Sequence, residues 1–262
     1  MPANPYADLD RPPLREPALR RALLTPDGLW TDLRVVAETG STNADVAAAA
    51  RAGAPEGLVL VAERQTGGRG RLGRQWTSPP RAGLAFSVLL RPKSISGWLP
   101  LLAGVALVTA VRRVSTVDAE LKWPNDLVVD DRKLGGILVE VVDGAVVVGI
   151  GLNVTLRGPE LPTPQATSMS LAGAANTDRD PLLRTVLRSL ADWYTRWNGD
   201  PDSLRDTYTL HCATIGRTVR VELPGGAAVT GTATQIDRDG RLVVDGTPYA
   251  AGDVVHVRPA NR

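Results

Sequence analysis

The chain has few of the residues that build disulfides, metal centres or nucleophilic catalytic sites. Its 262 residues include one cysteine, Cys212, and two histidines, His211 and His256. A single cysteine excludes an internal disulfide and a cysteine-rich metal site. With only two histidines, a zinc enzyme is not expected. We therefore interpret Cys212, His211 and His256 as structural or incidental.

A large net charge and a long apolar run are also missing. The 30 basic and 28 acidic side chains leave a net charge of +2, which argues against a surface built to bind nucleic acid. No apolar run approaches the roughly 20 residues that span a bilayer. The N-terminal residues include Asp8 and Asp10 and no apolar segment, so a signal peptide is not expected. We expect a cytoplasmic protein with neither DNA nor a membrane as partner.

Apolar residues make up 43% of the chain, which is enough for one large core and a small second domain. Residues 1–17 contain five prolines and little apolar content, so we expect a flexible arm there. Residues 18–212 form the predicted main domain. In residues 213–262, short apolar strands are separated by turns such as Pro224-Gly225-Gly226 and Asp239-Gly240, which is typical of a small β-barrel.

Apolar periodicity, capping residues and turn residues predict the order of the elements. The predicted helices are Glu16–Leu24, Ser41 or Thr42 to Arg51, Trp98–Val114, Asp180 to Trp197, and Pro201–Leu210. The predicted strands of the main domain are Thr31–Glu38, Leu58–Glu63, Leu84–Leu90, Ala119–Trp123, Leu127–Val129, Leu134–Val142 and Val146–Val154. Those of the terminal barrel are Arg217–Leu223, Val229–Ile236, Arg241–Val244 and Val254–Val257.

The segment Gln65–Trp76, which we call the Gly–Arg loop, has the most informative composition. It places four glycines and three arginines in ten residues and ends on a tryptophan. Glycine allows a backbone to approach a ligand closely, an arginine fork matches carboxylate and phosphate groups, and an indole offers a flat face to a ring. This composition favours a mobile clamp for an anionic, ring-bearing small molecule. A solvated surface loop is the alternative.

Part of the same loop also fits a dinucleotide-binding fingerprint, G-x-G-x-x-G, through Gly68, Gly70 and Gly73. That fingerprint requires a helix that opens directly after the glycines, because the helix N-terminus binds the pyrophosphate. Here Pro79-Pro80 follow closely and prevent a helix at this point. We therefore reject a Rossmann fold.

A second group of candidate site residues lies at the ends of two predicted strands. Lys122-Trp123-Pro124-Asn125-Asp126 joins two strands, and Lys133–Leu138 begins the next one. Loops at strand ends are where a rigid sheet holds ligands. Taken singly, Trp123 fits a core position, Pro124-Asn125-Asp126 a turn, and Lys133 a surface charge. Their occurrence together, after the Gly–Arg loop, favours a binding site.

With these residues the chain resembles the biotin–protein ligases, over roughly residues 30–258. Four matches support the resemblance: Gly40-Ser41-Thr42-Asn43, the Gly–Arg loop, Lys122–Asp126 with Lys133–Leu138, and Gly149-Ile150-Gly151-Leu152-Asn153. Two departures are Gly67 and Gly135, which stand where alanine is common. The resemblance implies an α+β fold, with a mixed and antiparallel sheet packed with helices as in class II synthetases, and a C-terminal SH3-like β-barrel. The short N-terminal arm leads us to expect a ligase without a DNA-binding domain.

The resemblance also implies a reaction and its participants. Biotin and ATP give biotinyl-5′-adenylate and pyrophosphate, with Mg²⁺ on the phosphates, and biotin then passes to one lysine of a biotin carboxyl carrier domain of an acyl-CoA carboxylase. The implied catalytic residues are Lys133, Arg69 and Arg71. The implied biotin contacts are Ser41, Thr42, Asn43, Gln65, Arg69, Gly70, Arg71 and Lys133. The implied ATP or adenylate contacts are Arg69, Arg71, Trp76, Lys122, Asn125 and Asn153, and no metal ligand is assigned.

Two other functions remain open at this point. A lipoate or octanoyl ligase or transferase has the same broad fold, although lipoate lacks the ureido ring of biotin. A nucleic-acid-binding regulator is disfavoured by the near-zero net charge. For residues 213–262 we expect either a docking role in the transfer step or a purely structural cap, since they supply no candidate cation for adenylation.

Overall fold

The computed structural model describes residues 11–199, 201–223 and 226–257. Its helices are α1 (Glu16–Leu23), α2 (Thr42–Arg51), α3 (Trp98–Ser115), α4 (Arg179–Gly199) and α5 (Pro201–His211). The strands of the larger part are β1 (Asp32–Val36), β2 (Leu58–Ala62), β3 (Gly83–Leu90), β4 (Glu120–Lys122), β5 (Asp126–Val129), β6 (Arg132–Val142) and β7 (Ala145–Asn153). The C-terminal strands are β8 (Thr218–Glu222), β9 (Ala228–Ile236), β10 (Leu242–Val244), β11 (Thr247–Tyr249) and β12 (Asp253–His256).

The larger part is built on a seven-stranded sheet with the order β1-β2-β3-β7-β6-β5-β4. Only the β1–β2 pair is parallel, and the other neighbours run antiparallel. This confirms the expected α+β fold with a mixed, mostly antiparallel sheet. The long β6–β7 hairpin, joined at Asp143-Gly144 with positive φ at both residues, brings Gly136 directly opposite Gly151.

Helices cover both faces of this sheet, and the alternation of side chains along each strand explains why. In β2, Val59 and Val61 join the main core with α3 and α4, whereas Leu58 and Leu60 join a smaller core under α2. Because successive side chains of a strand point to opposite faces, a strand covered on both sides must be apolar throughout. The sequence of β2, Leu-Val-Leu-Val-Ala, meets that requirement, and all five residues are buried.

Helix α3 lies at the centre of the main core. Thirteen of its 18 residues are buried, which confirms the prediction of a largely buried apolar helix. Among the residues that the structure describes, it is the one helix long and apolar enough to cross a membrane by length and composition. Each buried leucine or valine contributes about 1.5–3 kcal/mol relative to an exposed one. The apolar side chains of α3 therefore pack against the sheet and α4.

The C-terminal part is a five-stranded antiparallel sheet with the order β11-β10-β9-β8-β12, as expected for an SH3-like domain. The sequence analysis missed β11, since its three residues contain Pro248 and follow a turn. Two indole groups of the larger part fasten this sheet. Trp98 Nε1 donates to the Arg238 carbonyl (2.8 Å) and Trp123 Nε1 to the Gly240 carbonyl (3.0 Å). The boundary between residues 212 and 213 stays a prediction.

The N-terminal segment differs from the expected loose arm where the structure describes it. Residues 1–10 lie outside the described residues, but Arg11 is only 5% exposed. The Leu14 amide donates to Glu63 Oε1 (2.6 Å), and Arg15 pairs with Asp180 (3.0 Å). A residue that precedes a proline favours extended backbone, and in residues 11–15 the polar groups of the chain bond to side chains of the main domain.

Candidate functional site

A cavity of about 370 Å³ lies between the sheet, the start of α2 and the Gly–Arg loop. Most of the site residues predicted from the sequence line it. They are Ser41, Thr42, Asn43, Gln65, Arg69, Gly70, Arg71, Trp76, Asn125, Lys133 and Asn153. Lys122 is not among the lining residues. The structure therefore brings together chain segments separated by more than a hundred positions, from Ser41 to Asn153.

One end of the cavity is a buried pocket of uncharged polar groups at the start of α2. Ser41 is the N-cap, with extended backbone, and its hydroxyl accepts from the Ala44 amide (3.5 Å). The Thr42 amide, one of the donors left unpaired at any helix start, donates to Gln65 Oε1 (2.8 Å). The first residue of the Gly–Arg loop is thus tied to the first turn of α2.

The same pocket continues into the sheet through Asn43 and Ser87. The Ser87 hydroxyl lies 2.6 Å from Asn43 Oδ1 and 2.7 Å from Thr42 Oγ1, and Ser87 is fully buried. Asn43 Nδ2 donates to Glu140 Oε2 (2.7 Å). A Cβ at Gly149 would overlap the Asn43 amide group, so the absence of a side chain there makes room for Asn43. Donors and acceptors are held in place by one another before any ligand binds.

Two glycines on neighbouring strands form the floor beneath Trp76. Gly136 and Gly151 are paired across β6 and β7, and a Cβ at Gly151 would overlap the indole ring. Glycine inside a strand commonly marks a place where another group approaches the backbone closely. Lys133 Nζ lies 5.9 Å from the centroid of the same ring. Trp76 therefore packs on the sheet at the point where the predicted catalytic lysine enters the cavity.

Positive charge is concentrated beside this floor. Lys133 Nζ is 2.6 Å from Asp126 Oδ1, and both side chains remain partly exposed, at 36% and 23%. Nearby, burial lowers the pKa of Lys122 from its ordinary value, and Lys133 adds to this lowering while Asp126 opposes it. Lys122 therefore lies within the electrostatic reach of the site, even though it does not line the cavity.

The Gly–Arg loop covers the cavity and reaches the C-terminal sheet. Arg71 Nη1 donates to Asn125 Oδ1 (3.1 Å) and to the Gly252 carbonyl (3.3 Å). Burial lowers the pKa of Arg71, with Asp126 opposing the shift. Arg74 forms an ion pair with Asp253. The C-terminal part thus contributes Asp253 to the cavity lining and holds two loop arginines, contacts that the sequence analysis did not anticipate.

Residues 155–168, which we call the wall segment, close the other end of the cavity through Pro162, Thr163 and Ala166. The Lys133 amide donates to the Gln165 carbonyl (2.7 Å), and the Thr167 amide returns a bond to the Lys133 carbonyl (2.8 Å). These two bonds align the wall segment beside the start of β6.

Asn153 also holds the wall segment. Its Nδ2 donates to the Thr167 carbonyl (2.9 Å), and Asn153 is 2% exposed. Along β7, Gly149 in the polar pocket and Asn153 at the wall segment are about 13 Å apart at the usual rise per residue. The cavity therefore suits an elongated ligand. Such a ligand has a neutral polar group at one end, an anionic group in the middle and a ring at the other end.

Comparison with known proteins agrees with this geometry. Residues 39–156 match the Biotin/lipoate A/B protein ligase family, and residues 214–257 match the Biotin protein ligase C terminal domain. The biotin–[acetyl-CoA-carboxylase] ligase of Mycobacterium tuberculosis is 45% identical over 260 residues, covering 95% of this chain and 97% of its own length. The chain belongs to the biotin protein ligase family. This confirms the resemblance that the motifs indicated.

Two further relatives place the chain within the biotin protein ligase family. The bifunctional ligase/repressor BirA of Bacillus spizizenii is 32% identical over 207 residues, which cover 73% of this chain and 62% of BirA. The biotin protein ligase of Aquifex aeolicus, solved in complex with biotin and ATP, has a TM-score of 0.76 at 28% identity. That likeness covers 88% of this chain and 100% of the Aquifex chain.

The sequence analysis missed several residues that this member of the biotin protein ligase family places in or beside the cavity. Ser87 is a single hydroxyl in the apolar run of β3, a signal that would have suggested a buried polar site. Gly136 and Gly151 lay within the matched motifs but were not assigned a role. Asp253 gave no local signal, because only the packing of the C-terminal sheet brings it to the cavity.

The remaining candidates agree with the structural interpretation given to them. His256 Nε2 lies 3.1 Å from Thr214 Oγ1 and Nδ1 lies 3.0 Å from Asp131 Oδ1, a cluster that joins the two sheets. His211 lies beside Arg112, and Cys212 is buried, which raises the pKa of its thiol. These three residues are not among those that line the cavity.

Proposed function

We propose that this protein is a biotin–[acetyl-CoA-carboxylase] ligase that makes biotinyl-5′-adenylate from biotin and ATP and then passes biotin to a carrier lysine. The observation that supports this most strongly is the composition of one cavity. Neutral donors and acceptors, Ser41, Thr42 and Asn43, line one end, where the fully buried Ser87 bonds to Thr42 and Asn43, and this pocket suits the ureido ring of biotin. Lys133 lies further along the same cavity, under the loop arginines.

The arrangement addresses the main physical difficulty of the first step. The biotin carboxylate must attack the α-phosphorus of ATP, and both groups are negative. At about 4 Å and an effective dielectric constant near 20, one pair of unit charges interacts by roughly 4 kcal/mol. Lys133, Arg69 and Arg71 are the cations that we assign to this point, where fixed positive charge lowers the transition-state energy most. Pyrophosphate leaves, and the biotin acyl group stays bonded to AMP.

We assign the nucleotide to the part of the cavity between Trp76, Asn125 and Asn153. Trp76 offers a ring face beside Lys133, and stacking against an aromatic ring suits adenine. Lys122 acts from outside the cavity lining through its charge. The glycines of the Gly–Arg loop allow it to close over the adenylate and exclude water from a reactive mixed anhydride.

Mg²⁺ is expected for an ATP-dependent ligase of this kind. Among the described residues, no group of three or more His, Cys, Asp or Glu side chains is placed to hold a metal ion. Asp126, the carboxylate nearest Lys133, is already ion-paired with it. The donor set therefore does not fit a resident metal site, and we propose that Mg²⁺ arrives with ATP as part of the substrate.

The second substrate is, in our proposal, the biotin carboxyl carrier domain of an acyl-CoA carboxylase. The neutral amine of the carrier lysine attacks the acyl carbon of the adenylate and loses a proton as the amide forms. The bond from the acyl carbon to the phosphate oxygen breaks, and AMP leaves with its electrons. We place the reaction in the cytoplasm.

The decisive experiment incubates the purified protein with ATP, Mg²⁺, biotin and an apo carrier domain, and measures the mass of the carrier. We expect one biotinyl group per carrier and none when its acceptor lysine is replaced by arginine. A parallel reaction with lipoate in place of biotin tests the alternative substrate. Modification by lipoate but not by biotin would contradict the proposal.

A further inference from the structure

The N-terminal segment contains an arginine that is buried against the wall segment. Arg11 Nη2 and Nη1 donate to the two carboxylate oxygens of Glu160, at 2.6 and 3.1 Å. The same guanidinium donates to the Thr155 hydroxyl (3.1 Å) and carbonyl (2.7 Å). A two-point pair with a carboxylate fixes orientation as well as distance. Arg11 therefore holds the wall segment at its first residue and at Glu160.

Glu160 also stabilises the short turn that comes just before the lining residues Pro162 and Thr163. Its Oε2 accepts from the Arg157 amide (2.8 Å), and Arg11 holds the pKa of the Glu160 carboxyl below its ordinary value. Two residues later, Pro162 and Thr163 line the cavity. Further along, Gln165 and Thr167 pair with the backbone of Lys133. A continuous series of contacts thus runs from Arg11 to the cavity and to the predicted catalytic lysine.

The N-terminal segment is itself held firmly, so it can act as a support. Arg179 Nη2 donates to the Pro12 carbonyl (2.6 Å), and the Arg179–Glu63 ion pair beside it is almost completely buried, at 5% and 9% exposure. Glu63 also accepts from the Leu14 amide (2.6 Å). Removing one partner of a buried ion pair strongly destabilises a folded protein. The bonds from this pair to Pro12 and Leu14 therefore hold residues 12–14 in place.

We propose that Arg11 is a positioning residue for the nucleotide: by clamping Thr155 and Glu160 it sets the wall segment that borders the ATP half of the cavity. The inference rests on the function proposed above. Arg11 does not itself line the cavity, and its effect passes through the wall segment. Because the polar pocket at Gly149 lies about 13 Å from Asn153 along β7, the affinity for biotin is not expected to depend on Arg11.

The test compares ATP and biotin affinities of the full-length protein by titration calorimetry. Arg11→Ala is expected to weaken ATP binding about tenfold and to leave biotin binding within about twofold, because misplacing a binding wall affects only the ligand it contacts. Without ligand, hydrogen exchange of the Thr167 and Met169 amides, which bond to Lys133 and Asn153, is expected to become faster in this variant.

Two companion variants separate positioning from general stability. Arg15→Ala removes a neighbouring arginine of the same segment, which pairs with Asp180 and not with the wall segment, and should change neither affinity. Glu160→Gln keeps the size of the side chain but loses the charge that pairs with Arg11, which loosens the wall segment less, and it should weaken ATP binding by a smaller factor even if Arg11→Ala folds poorly. The proposal is overturned if ATP affinity is unchanged in both Arg11→Ala and Glu160→Gln, or if ATP and biotin affinities fall equally.

These measurements also distinguish this inference from the proposed function. A wild-type protein that bound ATP but neither bound nor adenylated biotin would contradict the proposed function alone. The comparison of Arg11→Ala with wild type would still decide whether Arg11 positions the wall segment, since ATP affinity and amide exchange are read without biotin.

Discussion

The polar pocket at the start of α2 and the Gly–Arg loop face the same cavity but are held in different ways. In the pocket, Thr42 is 3% exposed and Ser87 is fully buried, and each is bonded to a neighbour on a helix or strand. In the loop, Leu72 is 65% exposed, and Arg71 and Arg74 are held by the C-terminal sheet. The pocket is built on a helix and a strand, whereas the loop depends on contacts with the C-terminal part.

This difference corresponds to the two tasks of the proposed reaction. A small neutral ring is best recognised by fixed donors and acceptors, because no rearrangement is then required on binding. A reactive adenylate must be enclosed and later released to a carrier lysine, which requires a part that moves. The pocket should therefore control biotin affinity, and the loop should control retention of the intermediate.

The largest effect is expected at Lys133, which lies beside Trp76 at the end of the Gly–Arg loop. Lys133→Ala removes a cation from the transition state and should lower the rate of biotin-dependent pyrophosphate release by about 10²–10³, or roughly 3–4 kcal/mol. The fold should be retained, because Lys133 contributes its backbone, not an apolar side chain, to the wall pairing. Lys93→Ala makes the same charge change at an exposed site. A Lys133→Ala rate within about tenfold of wild type would remove Lys133 from the chemistry.

Adding a methyl group at Gly149 should disrupt the polar pocket at the start of α2 and leave the Gly–Arg loop unchanged. Gly149→Ala places a Cβ on the Asn43 amide, which must leave Ser87 and Glu140. Losing such hydrogen bonds typically amounts to about 1–3 kcal/mol, so biotin affinity should fall roughly 10–100-fold. Calorimetry with biotin measures this, and ATP affinity serves as the internal control. Ser87→Ala, which deletes one hydroxyl, should have a smaller effect in the same direction, and unchanged biotin affinity in both variants would refute a preformed pocket.

Replacing a loop arginine should affect the intermediate more than the fold. Arg71→Ala removes the bonds to Asn125 and Gly252 and should weaken biotinyl-adenylate binding about tenfold, with release of adenylate into solution. The melting temperature without ligand should change little, since a half-buried loop arginine contributes little to the core. Arg51→Ala, at the exposed end of α2, is the matched control. If Arg71→Ala bound the adenylate as tightly as the wild-type protein does, the hypothesis that the loop is a clamp would be wrong.

Ordering of the loop itself is expected to involve a free-energy change no larger than that of Arg71→Ala. Hydrogen exchange at Gly–Arg loop amides should slow about tenfold when biotin and ATP are bound, whereas the Asp45 amide of α2, which donates to the Ser41 carbonyl, should already be protected without ligand. The comparison needs one protein and two conditions. Equal protection of the loop in both conditions would mean that it is preformed like the pocket, and the contrast between the two regions would disappear.

Much of the fold could be predicted because local patterns agree with it. Every predicted helix and strand is present, with ends shifted by a residue or two, and β11 is the one strand of the described residues that was not predicted. Most of the predicted site residues also line the cavity. The Ser41 cap, the strand-end lysine Lys133 and the loop glycines are all local features, which explains why a single sequence was enough to find them.

The contacts that the sequence analysis missed depend on distant parts of the chain. Asp253 reaches Arg74 because contacts such as those of Trp98, Trp123 and His256 hold the C-terminal sheet against the larger part. Arg11 belongs to a proline-rich stretch that reads as a loose arm, and its burial depends on Thr155 and Glu160, about 150 positions away. Local composition contains no information on such partners.

By itself, the sequence determined the alternation of apolar residues that makes each strand and helix, and the residue types that make a cationic, glycine-rich site. Tertiary structure decided which of those residues meet. The pairing of β6 with β7 sets Gly136 opposite Gly151 and gives Trp76 its place. Register and domain packing follow from the burial of whole faces, since a shift of one residue would turn every side chain of a strand to the other face.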